Sequence, residues 1–481
     1  LVQLIKNNML IDIEQEDNTL TVSYINKEGN TDYKTYQFDN FRNWYVTNES
    51  DRYKSKDKRN WDDRPVKAGK ARSMNKFSIY NFLETLSPED DEEIFAFNLP
   101  KTYFVDIETE VVDGFPSPLK AETKILTISI ITPDNKAIVL GTKDVPNNEK
   151  IEIEGKINNY FSKLNDEFDV KWEFKYFKFN SEYDLLYTFL SKFVKQFPVI
   201  SGWNYVFFDW TYIINRAKRI GIDPSISSPT GKLTRQNFPM HITIYDYMDL
   251  YANWDRSIKI KENAKLETAS NAVLGLGKIK YDGQLQELYE SDFSRYIYYN
   301  AVDSILVYFI HRRLKTMDIA FTLANMCRIS VYKASSPVVI TESYLSRNFL
   351  KMNKVLAQDK FDENKHEKDT KFQGAFVKEP IKGFHKAVAC FDYASLYPSL
   401  MRLANISPDS FIEKIPQSQV EEERKKGDKS KIITASGAVY GIETSILKQV
   451  LTNLYSQRKE YKATMFEHKM NISKIKDALK K

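Results

Sequence analysis

Tyr103-Phe104-Val105-Asp106-Ile107-Glu108 is the stretch on which the reading of this chain turns. Its apolar residues make a short strand, on which Asp106 and Glu108, two apart, point to the same face. Working outward, Leu126, Ile128 and Ile130 alternate with polar neighbours, and residues 137–140 give a third strand. Leu185, Leu186, Phe189, Leu190, Phe193 and Phe197 recur at helical spacing ahead of the strand-like Val199-Ile200. Three strands, a helix and a further strand describe a mixed α/β unit. Residues 291–315 read as a long helix with Ser291 as its cap. Upstream, residues 1–98 alternate short strand-like runs with polar turns. They end in Glu89-Asp90-Asp91-Glu92-Glu93, which reads as a solvated linker. Beyond about 318 the pattern is helical and irregular as far as the polar segment 359–370. A second α/β region starts near Phe372, and residues 446–481 read as one charged helix.

A chain of 481 residues is too long for one core and implies several domains. No run of about 18 apolar residues is present, so no helical membrane span is expected. The N-terminus lacks a signal-peptide pattern and also lacks a starting Met, so the chain is expected to be trimmed. Two cysteines, Cys327 and Cys390, exclude a disulfide framework, and five histidines leave them poor company for zinc. A reducing, intracellular setting is the expectation. Lys and Arg total 70 against 65 acidic residues, a balance compatible with nucleic acid but not diagnostic of it.

Four acidic signatures follow one another in order. They are Asp106-Ile107-Glu108, then Gly202-Trp203-Asn204 leading to Phe208-Asp209, then Tyr299-Asn300-Ala301-Val302-Asp303, then Asp392-Tyr393-Ala394-Ser395-Leu396-Tyr397-Pro398-Ser399. Phosphodiester hydrolysis uses two divalent ions roughly 4 Å apart. Mg²⁺ and Mn²⁺ prefer carboxylate oxygens, so such a site needs acids converging from separate elements. Asp106, Glu108, Asp209 and Asp303 can supply them. Tyr299 and Asp303, four apart, share a helix face, where a phenol can orient a water. One Asp-x-Glu pair is cheap, since Asp12-Ile13-Glu14 is a near copy. The ordered combination is not.

The first three signatures resemble the exonuclease motifs of the family B DNA polymerases, members of the DEDD nuclease superfamily with Tyr in the final motif. The resemblance implies an RNase H-like 3′–5′ exonuclease in which Asp106, Glu108, Asp209 and Asp303 bind two Mg²⁺ (or Mn²⁺) ions. Tyr299 would position the water, and Asn204 and Phe208 would contact the DNA 3′ end. The fourth signature is similar to motif A of the same family. Asp392 would bind the catalytic metals there, at the end of a strand formed by residues 387–391, with Leu396 and Tyr397 at the incoming nucleotide. Phe372-Gln373-Gly374-Ala375-Phe376-Val377 and Asn405-Ile406-Ser407-Pro408 look like the replicative polymerases of T-even-type phages. Arg458 and Lys462, four apart on the terminal helix, would grip the triphosphate.

The later motifs of the family, Lys-x-x-x-Asn-Ser-x-Tyr-Gly and a palm Asp-Thr-Asp, do not occur. Ala435-Ser436-Gly437-Ala438-Val439-Tyr440-Gly441 is a decoy for the former, placed before the Arg458 helix rather than after it. The implied fold class is a multi-domain α/β chain. Residues 1–98, rejoined by 318–362, would make an N-terminal domain, and 99–317 the RNase H-like exonuclease with a mixed sheet. Residues 363–445 would be a partial palm and 446–481 the truncated start of the fingers. The expectation is the N-terminal part of a phage replicative DNA polymerase, from a split gene or a truncation. Its partners would be primer-template DNA, single-stranded 3′ ends, and dNTP once a C-terminal part completes the site. A sliding clamp and replisome would be reached through missing regions, in the host cytoplasm. Two other readings are a standalone DEDD exonuclease with a degenerate palm used for DNA binding, and a non-catalytic nucleic-acid-binding or regulatory module.

Overall fold

The structure is a computed structural model that describes residues 9–16, 19–37, 44–47, 54–55, 71–73, 82–95, 99–112, 114–255, 261–280, 283, 285–352 and 377–479. The expectations placed on 359–370 and on Phe372 to Phe376 lie outside the described residues. Two compact units are present. One comprises Leu1–Phe41 and Ile79–Ser343, the other Arg42–Ser78 and Tyr344–Lys481.

The first unit opens with a three-stranded antiparallel sheet, β1 (Met9–Glu16), β2 (Thr19–Ile25) and β3 (Thr31–Gln37). The acidic run expected to be a linker is instead helix α1 (Pro88–Phe95). Its charges are paired from a distance. Lys34 reaches Asp90 and Glu93, Arg328 reaches Asp91, and the Tyr24 hydroxyl donates to Glu93 at 2.7 Å. Its apolar side, Ile94 and Phe95, packs with Leu20, Val22 and Leu83.

The larger sheet has six strands: β4 (Thr102–Thr109), β5 (Ile125–Ile131), β6 (Lys136–Gly141), β7 (Glu173–Lys178), β8 (Val199–Gly202) and β9 (Thr243–Asp246). Their order is β7-β6-β5-β4-β8-β9. The β4–β5 and β5–β6 pairs are antiparallel, and the others parallel. Every residue of β5 is buried. The alternation read from its sequence does not separate core from solvent, because both sheet faces are covered. Ile107, Ile128 and Ile130 pack against Leu185, Leu186, Phe189, Trp210 and Ile213 from α3 (Glu182–Thr188), its continuation, and α4 (Thr211–Arg219) with its approach. The opposite face carries α6 (Phe293–Leu314), beside α2 (Asn147–Tyr160) and α5 (Leu266–Leu274). There Thr127 and Ser129, the polar neighbours, meet Asn300 and Ser304.

Ser291 is not the cap of α6. It closes the preceding short helix, its hydroxyl donating to the Glu287 carbonyl at 2.7 Å, while Asp292 caps α6 by accepting from the Arg295 N–H at 2.9 Å. The chain then returns through α7 (Thr316–Cys327) to α1. Asn325 donates to the Phe95 carbonyl and Arg328 to that of Leu83.

A buried fork holds α3, α4 and the start of β5 together. Arg216 on α4 donates from Nε and Nη2 to the two Glu182 oxygens, both at 2.8 Å, and the Ile125 N–H donates to Glu182 Oε1 at 2.8 Å. Arg216→Met strands that carboxylate and is expected to destabilise this unit by about 3 kcal/mol. Arg216→Lys, which cannot fork, recovers only part. Urea unfolding followed by tryptophan fluorescence measures both, and equal stability of wild type and Arg216→Met would refute the assignment.

In the second unit, Asp392 does not end a strand. Residues 377–395 form no regular element, and Val388 and Phe391 are exposed. A strand exists only by pairing with neighbours, and no described residue pairs with this segment. Helix α8 (Leu396–Leu403) follows, then a small sheet of β10 (Phe411–Lys414), β11 (Lys431–Ile433) and β12 (Ala438–Gly441), ordered β10-β12-β11. The Ala435–Gly441 decoy is the turn at Gly437, at φ +82°, leading into β12. Helix α9 (Ile446–Leu479) is continuous. Asn405 seats its start, donating to the carbonyls of Gly441 and Glu443 and accepting from the Ser445 N–H at 3.1 Å.

Candidate active site

Three of the expected acids converge. Carboxylate oxygens of Asp106 and Glu108 on β4 and Asp303 on α6 lie within 4.8 Å of one another. The strand puts the first two on one face, and that face is the one α6 covers. Asn300, one turn before Asp303, donates to Asp106 Oδ2 at 2.8 Å while accepting from the Thr127 hydroxyl at 3.1 Å.

Asp209 reaches the same strand by a different route. β8 pairs with β4 only as far as Ser201 opposite Phe104, so the β4 edge beyond is unpaired by strands. The Ile107 N–H on that edge donates to Asp209 Oδ1 at 3.0 Å. Asp209 sits in a wide turn, Val206–Trp210, where the Trp210 N–H bonds to the Tyr205 carbonyl at 2.7 Å, before α4 begins. Widened turns of this kind recur at functional sites. Gly202 permits the approach, because a Cβ there would lie 2.4 Å from the Val105 carbonyl oxygen.

Packing four acids together has a measurable consequence. Burial, then Asp303, push Asp106 up to about 7, against the opposing pull of Lys278 and Asn300. Glu108 and Asp209 are raised well above the usual carboxylate range, and Asp303 is raised too, each chiefly by burial. Lys278, which was not anticipated from sequence, supplies the counter-charge. Its Nζ lies 2.6 Å from Asp303 Oδ2 and 5.1 Å from the centre of the Tyr299 ring. The Tyr299 phenol lies beside this pair and is coupled electrostatically to both Asp303 and Lys278. Burial and Asp303 raise that phenol, so it stays protonated. Lys278 stands in a Gly/Lys-rich loop far from the acids in sequence, and no local periodicity marks it.

The cluster can hold a metal ion. Its donors are hard oxygens, as Mg²⁺ or Mn²⁺ require. Asp303 Oδ1 is buried and has no hydrogen-bond partner. Such an atom costs free energy unless something completes it.

Of the expected DNA contacts, Phe208 lies against the exposed Phe115, ring centres 5.2 Å apart, and Asn204 takes a left-handed φ of +60°. The remaining residues belong to the second unit. Asp392, Leu396 and Tyr397 are exposed around the start of α8, and Arg458 and Lys462 are exposed on α9. The two helices touch, with the Arg402 guanidinium 4.9 Å from the Tyr455 ring centre. Among the described residues, Asp392 belongs to no cluster of three or more potential metal ligands.

Residues 35–268 match the exonuclease domain of DNA polymerase family B, and residues 299–478 match DNA polymerase family B itself. The chain is 29% identical over 400 residues to the DNA-directed DNA polymerase of Escherichia phage RB69, covering 78% of this chain and 43% of that protein. It is 26% identical over 457 residues to the DNA-directed DNA polymerase of Enterobacteria phage T4, covering 89% of this chain and 49% of that protein. A DNA polymerase of Archaeoglobus fulgidus is 26% identical over 329 residues, 67% of this chain and 36% of the relative. The chain thus spans about half the length, or less, of the relatives it matches. By both family matches and by these relatives, it belongs to the family B DNA polymerases, with an exonuclease domain.

Proposed function

We propose that this chain is the proofreading and motif A portion of a phage-type replicative DNA polymerase, working in the host cytoplasm. It removes nucleotides from DNA 3′ ends by metal-dependent hydrolysis and carries half of a nucleotidyl-transfer site. The observation that carries the reading is the convergence of Asp106, Glu108 and Asp303 within 4.8 Å, with one oxygen of Asp303 unpartnered. The six-stranded mixed sheet beneath it supports an RNase H-like exonuclease domain over 99–317. Residues 1–98 with 318–362 form the N-terminal domain, 363–445 a partial palm, and 446–481 the first fingers helix.

Asp106, Glu108, Asp209 and Asp303 would hold two Mg²⁺ or Mn²⁺ ions, whose charge would neutralise the phosphate and acidify water. The Tyr299 phenol, beside Asp303 and Lys278, orients the attacking water. The water oxygen bonds to phosphorus, and the 3′ oxygen of the preceding nucleotide leaves with the electron pair, releasing a 5′-monophosphate. Asn204 and Phe208 hold the terminal nucleotide. In the second site Asp392 would hold metal, Leu396 and Tyr397 would face the incoming nucleotide, and Arg458 and Lys462 would take its triphosphate. A complementing C-terminal part supplies the second carboxylate, primer-template binding and the clamp contact. Support for a helical partner comes from α9. Tyr461, Met465, Ile472, Ile475 and Leu479 are exposed at heptad spacing, the seam of a helix that pairs with another.

A labelled single strand in Mg²⁺ tests the reading. Wild type shortens it from the 3′ end, and Asp106→Ala/Glu108→Ala loses at least about 10³-fold in rate, a loss on the scale of removing a main electrostatic stabiliser. Added nucleotides give no extension. Extension by this chain alone would sink the half-site assignment, and absent shortening by folded protein would sink the nuclease.

The raised carboxyls also set a pH signature. A group raised in the fold favours folding below its unfolded pKa and loses that contribution as pH rises through the folded value. For Asp106 the window runs from its ordinary 3.8 to about 7. Metal must therefore raise the melting temperature more at pH 8 than at pH 5.5, and calorimetry with and without Mg²⁺ checks it. Lys278→Ala removes the ammonium that opposes the rise of Asp106, Glu108 and Asp303. The acid limb of the excision profile should move to higher pH in that variant, and an unmoved limb would count against the role given to Lys278.

A further inference from the structure

We infer that Asp246, which belongs to none of the acidic signatures, is a positioning residue that sets where Asp209 and Asn204 sit, and hence how tightly the nuclease site binds metal. This rests on the nuclease reading above.

Asp246 is the last residue of β9 and is 5% exposed. The loop it faces connects β8 to the wide turn carrying Asp209. Three backbone N–H groups converge on its carboxylate. Asn204 and Met248 donate to Oδ1 at 3.1 and 2.9 Å, and Val206 donates to Oδ2 at 3.1 Å. The first and third come from the β8–α4 loop, and the second from the chain just after Asp246 itself. One carboxylate therefore caps two helical starts at once, with its negative charge at their N-terminal ends.

The loop needs this hold, because its geometry is demanding. Asn204 takes φ +60°, a region that costs most residues free energy. Gly202 sits too close to Val105 to carry a side chain. Trp203 is tied at its other end, Nε1 donating to the Ala264 carbonyl at 2.8 Å. Between these fixed points, the Asp246 bonds determine where residue 206 begins the turn, and Asp209 follows three residues later. Burial raises the Asp246 carboxyl to about 6 against the stabilising pull of its N–H donors, so the fold bears a cost to keep a charge there. Its ionised form accepts all three donors at neutral pH, and an amide cannot. In the Asp246→Asn variant one terminal atom would be an NH₂ group facing an N–H, leaving either Val206 or the Asn204/Met248 pair without an acceptor.

The test uses the purified full chain at pH 8. Mn²⁺ binding is read from the electron paramagnetic resonance signal of the free ion, and excision of a single-stranded oligonucleotide is read alongside. Asp246→Asn is expected to weaken Mn²⁺ binding by about 10- to 100-fold, the range for partners that orient metal ligands. A control variant, Ile153→Ala, removes a buried side chain on α2 away from the loop. It should lower the melting temperature and leave Mn²⁺ affinity unchanged, which a merely structural role for Asp246 would not reproduce. Wild-type Mn²⁺ affinity in Asp246→Asn overturns the inference. If wild type itself binds no Mn²⁺ and Asp106→Ala/Glu108→Ala changes nothing, the nuclease reading fails instead. Hydrogen exchange over residues 202–208 decides the matter should Asp246→Asn not fold. Slow exchange at Asn204 and Val206 in wild type supports the clamp, and exchange as fast as in an open loop refutes it.

Discussion

Like charges crowded into a protein interior are the constraint around which the first unit is organised. Asp106, Glu108, Asp209 and Asp303 would each be cheaper in water, and their mutual repulsion grows as the local dielectric falls. The surrounding structure offsets this one contact at a time: Asn300 on Asp106, the Ile107 N–H on Asp209, Lys278 on Asp303. These contacts arrive from a helix, a strand edge and a loop. The six-stranded sheet and α6 therefore serve electrostatics as much as packing, since only a rigid frame can hold such partners in register. The polar layer of Thr127, Ser129, Asn300 and Ser304 belongs to the same frame. It fixes the α6 register on β5, so that Asp303 faces β4 and not solvent.

Much of this frame was legible because it rests on short periods. The two-residue spacing of Asp106 and Glu108 and the four-residue spacing of Tyr299 and Asp303 fix shared faces once strand and helix are granted, and both elements form. What escaped was whatever depends on distant partners. The run Glu89-Asp90-Asp91-Glu92-Glu93 looks like a solvated linker until Lys34 and Arg328 approach from elsewhere in the chain. Asp12-Ile13-Glu14 copies the nuclease pattern, yet its carboxylates meet His241 and Lys232. β7 and β9 were missed for a related reason. The first is dense in charge at its exposed edge, and the second is four residues long, too short to show a period. Asp246 and Lys278 have no local mark at all. Their roles exist only once loops are folded against them.

The second unit shows the reverse case, a motif fully legible in sequence whose expected local structure does not form. Phe391-Asp392 was read as the end of a strand because five apolar or small residues precede Asp392. Strand propensity is a statement about fitting a pleated, half-buried surface, and the described residues offer that segment no such surface. Val388, Phe391 and Tyr393 consequently stand exposed. The neighbouring α8, α9 and the Asn405 loop do form, because their hydrogen bonds close within the segment. Local motifs fold where their partners are local.

The two sites therefore differ in how far the chain can pre-organise them. In the acidic cluster of the first unit, the carboxylates come from β4, the turn before α4, and α6, and their repulsion is offset by groups of the same unit. Asp392 is exposed and belongs to no cluster of three or more potential metal ligands among the described residues. An exposed carboxylate keeps its water and its rotamer freedom, and would surrender both on binding a metal. That ordering cost falls on the binding step at the second site, whereas folding has already met it at the first. Under the proposed function, excision would be the activity whose geometry is built into the chain, and nucleotidyl transfer one whose geometry would be assembled around it.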